Sequence, residues 1–90
     1  GLAANDDSPF VRLYIASALQ RMPVSKRLEI LLPLIGHLED HSDHNLPLMY
    51  WYASEAVVGE SMAAGIRLLA ATEIPVLRQF IARRMAVSAQ

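Results

Sequence analysis

Three prolines, Pro9, Pro47 and Pro75, each stand where an amphipathic stretch begins, and the residues behind them recur. Proline in the first turn of a helix gives up no hydrogen bond, whereas inside a helix or a central strand it breaks the ladder. Five residues after each proline stands an aromatic side chain (Tyr14, Tyr52, Phe80), followed by Ile15, Ala53 or Ile81 and then Ala16, Ser54 or Ala82. Ten residues after the proline stands Leu19, Val57 or Met85, and two of the three stretches carry arginine at the third position, Arg12 and Arg78. Recurring helix entrances of this kind point to repeated helical units rather than to a sheet.

The remaining periodicity agrees. Ser8 can cap a first helix in which Val11, Tyr14, Ile15, Ala18, Leu19 and Met22 form the apolar face, stopped by Pro23. Ser25 can cap a second, with Leu28, Leu31, Leu32, Ile35 and Leu38 inward; Pro33 in its middle predicts a kink or short break, in a bent helix ending near Glu39. After a polar turn over residues 40–45, a third helix carries Met49, Tyr52, Ala53, Ala56 and Val57 on one face and closes at Gly59. A fourth, from about Ser61 to Ala71, turns Met62, Ile66, Leu69 and Ala70 inward, and a fifth uses Leu77, Phe80, Ile81 and Met85. No alternating, strand-like segment competes with these helices.

The prolines lie 38 and 28 residues apart, spacings that bracket the period of two-helix HEAT, armadillo and TPR repeats. In such arrays one hairpin cannot cover its own apolar face and stacks on the next. The expected fold is all-α: a right-handed stack of antiparallel hairpins, a HEAT-like α-α superhelix of about five helices. Residues 1–7 are expected to be a flexible lead, and residues 8–90 one repeat domain. With 53% hydrophobic and only 19% charged residues, so short a chain is expected to keep part of its surface covered by neighbouring protein, as a fragment of a longer one would.

Charge and composition narrow the chemistry. A net charge of −1 gives no general attraction to nucleic acid or to an anionic membrane, and no apolar run approaches the ~20 residues a membrane span needs. Without cysteine there are no disulfides, thiolate nucleophiles or C-x-x-C-H haem attachment within these residues. His37, His41 and His44, near Glu39, Asp40 and Asp43, have the only metal-like spacing, because histidines four apart on a helix can share an ion. The same residues also suit a solvated turn at a helix end.

Tyr50, Trp51 and Tyr52 are consecutive, hence about 100° apart around a helix, and cannot all enter one core. With Tyr52 inward, as the repeat register requires, Tyr50 or Trp51 becomes a candidate contact aromatic. Arg78, Arg83 and Arg84, together with Arg12, could form a basic strip for phosphate groups, with little aromatic interleaving to support it. No serine sits on a strand-to-helix elbow, so nucleophilic catalysis has no sequence support.

The strings NLPLMYWYASE at Asn45–Glu55, IPVLRQFIARRM at Ile74–Met85 and SPFVRLYIASALQRMP at Ser8–Pro23 together resemble one known arrangement. It is similar to the helical-repeat segment of large haem-binding proteins of planctomycete and verrucomicrobial type, labelled membrane-bound dehydrogenases. The resemblance covers most of the chain, and N-L-P-L-M-x-W-Y is its most specific part. It implies a segment between a propeller-like sugar-dehydrogenase-type domain and a C-terminal cytochrome c domain, in an exported or membrane-associated, redox-linked protein. Haem c is then expected elsewhere in that protein, with no cofactor or catalytic residue here and with neighbouring domains or another protein as partners. Ala56 follows Glu55 where the pattern has proline, so the turn after the third helix is expected to differ. A helical-repeat binder of nucleic acid and a small metal-binding domain using the three histidines are the competing expectations.

Overall fold

A computed structural model describes residues 8–88; the expected flexible lead over residues 1–7 lies outside them. The described residues form five α-helices and two 3₁₀ turns, with no strand. Helix α1 spans Pro9–Leu19, with Pro9 in its first turn and the Ser8 hydroxyl accepting the Val11 N–H at 3.4 Å. Past Leu19 the backbone tightens to three-residue hydrogen bonds, and Pro23 ends the run. The Arg27 guanidinium covers the carbonyls left there, donating to Gln20 and Met22, and reaches the Ala53 carbonyl of the third helix.

The second stretch is broken rather than bent. A 3₁₀ turn at Val24–Lys26 takes in Ser25, α2 spans only Leu28–Leu34, and a second 3₁₀ turn spans Leu38–Ser42. Pro33 has no N–H to offer the Glu29 carbonyl, and the helix stops one residue later instead of continuing to Glu39.

Helix α3 spans Leu46–Glu60, and its head is capped by Asp43, whose Oδ1 accepts the Asn45 and Leu46 N–H groups at 2.8 and 2.9 Å. Gly59 does not close it. The helix runs to Glu60, and Ser61, in extended conformation, ends α3 and starts α4 (Met62–Ala71) by accepting the Ala64 N–H at 3.1 Å. Helix α5 spans Pro75–Ser88; before it the Thr72 hydroxyl accepts the Ile74 N–H.

Helix α3 is central: it packs on α1, α2, α4 and α5, while α2 packs on α4 and α4 on α5. The body measures 39 × 26 × 18 Å. Its core is apolar, with Leu31, Leu34, Leu68, Leu77 and Ile81 fully enclosed.

Several inward faces differ from expectation by one helical position. In α1 the buried residues are Arg12, Ala16 and Leu19, with Val11, Tyr14 and Ala18 outside. In α4 they are Ala64, Gly65 and Leu68, while Met62, Ile66 and Ala70 are exposed. The reason in α4 is close approach: a Cβ on Gly65 would lie 2.9 Å from Met85 Sδ, so this small-residue face, not the bulkier one, meets α5.

Candidate interaction surface

Helices α1 and α3 bury matching positions behind their prolines. Counting from Pro9 and Pro47, the third, seventh and tenth residues are enclosed in both helices: Arg12, Ala16 and Leu19 in α1, and Tyr50, Ser54 and Val57 in α3. In α5 the inward residues are Leu77 and Ile81, two and six after Pro75, so that helix is rotated by about one position relative to the others.

Two polar side chains occupy matching buried positions, and they have the same partner. Arg12, only 1% exposed, clamps the Asp40 carboxylate with Nε to Oδ2 at 2.8 Å and Nη2 to Oδ1 at 2.7 Å. The Tyr50 hydroxyl donates to Asp40 Oδ2 at 2.6 Å. Both oxygens of a buried carboxylate are therefore engaged, the condition under which such a group is tolerated away from water. The hydrogen bond to Asp40 holds the Arg12 pKa above its ordinary value despite burial. Burial, followed by the bond to Asp40, pushes the Tyr50 hydroxyl up. Sequence reasoning missed this tie because it took Arg12 for a surface cation and Asp40 for a turn residue. The available signal was Arg12 at helical spacing from Ala16 and Leu19.

The tie fixes α1 and α3 to the 3₁₀ turn between α2 and α3, and the opposite faces of the same two helices point outward. Phe10 is 79% exposed and Tyr14 73%; on α3, Leu48 is 43% and Tyr52 51% exposed. These are the first and fifth residues after Pro9 and Pro47, so the recurring aromatic faces outward in both helices, not inward as its spacing implied. Between the helices lies an apolar groove of about 390 Å³, lined by Phe10, Leu13, Tyr14, Ser17, Asn45 and Met49. Asn45, Met49 and Tyr52 follow at four- and three-residue steps, which places Tyr52 on the groove face of α3.

Of the contact residues expected from the sequence, all except Arg83 are engaged within the fold. Tyr50 is completely buried and is not a surface aromatic. Trp51 is half-buried, its ring centroid 5.5 Å from that of Phe80 on α5, so it joins two helices. Arg78 donates to the Leu69 and Thr72 carbonyls at the end of α4. Arg84 donates to Ser88 Oγ at 2.7 Å and lies over Gly59, where a Cβ would come within 2.7 Å of Nη2. Arg83 is exposed, and Arg12 is buried beside Asp40, so the four arginines do not form one basic strip.

The histidines are not brought into a ligand set: among the described residues no three His, Cys, Asp or Glu side chains converge on a metal position. His37 precedes the Leu38–Ser42 3₁₀ turn, which has three residues per turn, so a four-residue step does not align His37 with His41. His37 Nδ1 instead lies 3.1 Å from Glu39 Oε2, and His41 and His44 are exposed. Among the described residues no helix is long and apolar enough to cross a membrane. Comparison with protein-family models, curated proteins and solved structures finds no match to this chain.

Proposed function

We propose that the chain is a non-catalytic, HEAT-like helical-repeat domain that works as a scaffold or protein-interaction element. The shared register of α1 and α3 supports the repeat, as does a contact pattern in which α1 and α5 both pack on α3 while α2 packs on α4. The 18 Å thin dimension suits two packed helix layers, given interaxial distances of about 8–10 Å. Following the resemblance of its proline-led strings, the domain belongs to a longer exported, haem-containing, dehydrogenase-like protein, with haem c held in a separate cytochrome domain.

The observation that carries the interaction reading is an apolar groove between α1 and α3 lined by the exposed Phe10 and Tyr14, with Leu48 and Tyr52 also turned outward on α3. Large aromatics left in water beside a groove are the side chains that dominate interface energetics. Displayed amphipathic helical peptides, selected against the folded chain and mapped by amide chemical shifts, test the proposal. Shifts centred on Phe10, Tyr14, Asn45, Met49 and Tyr52 are expected. Salt-sensitive binding of duplex DNA through Arg83, or zinc binding lost in His37→Ala, with no peptide binding in the groove, overturns it.

A further inference from the structure

We infer that Met85 makes the seam between α4 and α5 sensitive to peroxide: oxidation of its thioether to the sulfoxide releases the side chain from Gly65 and loosens the two helices. The chain has no cysteine, so reversible sulfur oxidation falls to its four methionines, Met22, Met49, Met62 and Met85. Their settings differ. Met62 is 41% exposed at the start of α4. Met49 borders the open groove, with the Gln20 amide Nε2 4.0 Å from its sulfur. A sulfoxide oxygen at either place meets solvent or a donor.

At Met85 it meets neither. This residue is half-buried, which leaves part of the side chain open to a small oxidant, and its inner part crowds Gly65. A Cβ on Gly65 would lie 2.9 Å from Sδ, 3.0 Å from Cγ and 3.4 Å from Cε. The Gly65 N–H is already held by the Ser61 carbonyl and the Ala64 N–H by the Ser61 hydroxyl, both at 3.1 Å, so neither is free to receive an oxygen on the sulfur. Burying that oxygen unpaired costs more than moving the side chain into water. The notch over Gly65 is then left empty, and α4 and α5 lose a packed contact. Helix α5 stays joined to α3 through Trp51 and Phe80, so one seam opens rather than the whole fold.

The chemistry is a two-electron oxygen transfer. The sulfur lone pair attacks one oxygen of hydrogen peroxide, the S–O bond forms as the O–O bond breaks, and the second oxygen takes the proton and leaves as water. The thioether is oxidised and the peroxide reduced; a thiol-dependent sulfoxide reductase reverses the change.

Peroxide treatment of two variants tests this, one keeping only Met85 (Met22→Leu, Met49→Leu and Met62→Leu together) and one lacking it (Met85→Leu). Peptide mass spectrometry gives the oxidation at each site, and amide hydrogen exchange gives the local opening. In the first variant the sulfoxide is expected to form in the folded state and to speed exchange around Gly65 and Met85 about tenfold or more, with methionine sulfoxide reductase restoring the slow rate. The Met85→Leu chain is expected to exchange alike before and after treatment. In the unaltered chain the acceleration tracks the fraction of Met85 oxidised, not that of Met49 or Met62. Met85 resisting oxidation until the chain unfolds, a Met85 sulfoxide that leaves exchange unchanged, or equal acceleration in treated Met85→Leu overturns the proposal.

Discussion

Arg12 and Tyr50 occupy equivalent positions, three residues after Pro9 and Pro47, and both bind the carboxylate of Asp40. One acidic residue in the 3₁₀ turn thereby holds two proline-led helices in a common orientation. Because Phe10 and Tyr14 flank Arg12, and Met49 and Tyr52 flank Tyr50, the tie also sets the spacing of the outer groove.

Breaking that tie from one side strands a charge. Arg12→Met is expected to destabilise the fold by about 3–5 kcal/mol, because Asp40 is left buried without its cation. The double variant Arg12→Met with Asp40→Leu recovers only part of this, since no unpaired charge remains but the buried Tyr50 hydroxyl loses its acceptor. Urea unfolding of Arg12→Met, Asp40→Leu and the double variant measures the coupling; a loss under about 1 kcal/mol in Arg12→Met contradicts a buried, paired arginine.

Tyr50 gives the fold an alkaline limit. Its folded pKa is raised above the unfolded value of about 10, so in this region the unfolded chain loses the proton first. The Tyr50 contribution is therefore fully present below pH ~10 and is lost as the pH rises toward the folded value. Tyr50→Phe loses about 1.5–3 kcal/mol at neutral pH with the bond to Asp40, yet its stability declines less steeply above pH 10. Denaturation followed from pH 8 to about 11.5 compares the two slopes; equal slopes contradict this role.

At the acid end one contributing group is Asp43. Accepting the Leu46 and Asn45 N–H groups lowers its pKa, so its contribution is present above the unfolded value of about 4 and lost as pH falls through the folded one. Asp43→Ala is expected to cost about 1 kcal/mol at pH 7, and Asp43→Asn only a few tenths, because asparagine caps comparably without titrating. Thermal melts from pH 7 to about 2.5 check this: the asparagine variant has the shallower acid decline.

The Gly65 contact with Met85 predicts a size threshold. Gly65→Ala gains helix propensity of up to about 1 kcal/mol while displacing a flexible thioether, so its net effect is small. Gly65→Val has no such room and is expected to cost about 1–3 kcal/mol in chemical unfolding.

The existence and order of the helices were legible because their signals are local: Ser8 with Pro9, Ser61, and Pro75 act within a single turn. Which face turns inward was less so. Apolar content alone put Tyr14 and Tyr52 inside, but the space between α1, the 3₁₀ turn and α3 is filled by Arg12, Asp40 and Tyr50, whose burial depends on partners up to 28 residues apart. A polar cluster of that kind has no one-dimensional signature, and reading it required asking which charged residue shares a helical face with alanine and leucine. The histidine spacing stayed ambiguous for a related reason, since a metal pair needs a helix where Pro33 has already ended one.

The central claim is that the proline-led helices lock Tyr50 inside and present Tyr14 and Tyr52 outside as a contact surface. Nitration of the folded chain by tetranitromethane at dilute concentration, with the sites located by peptide mass spectrometry, tests it most directly. Rapid modification of Tyr14 and Tyr52 is predicted, with Tyr50 protected until the protein unfolds. Tyr50 reacting as fast as the other two, or Tyr14 and Tyr52 protected in the folded chain, would contradict it.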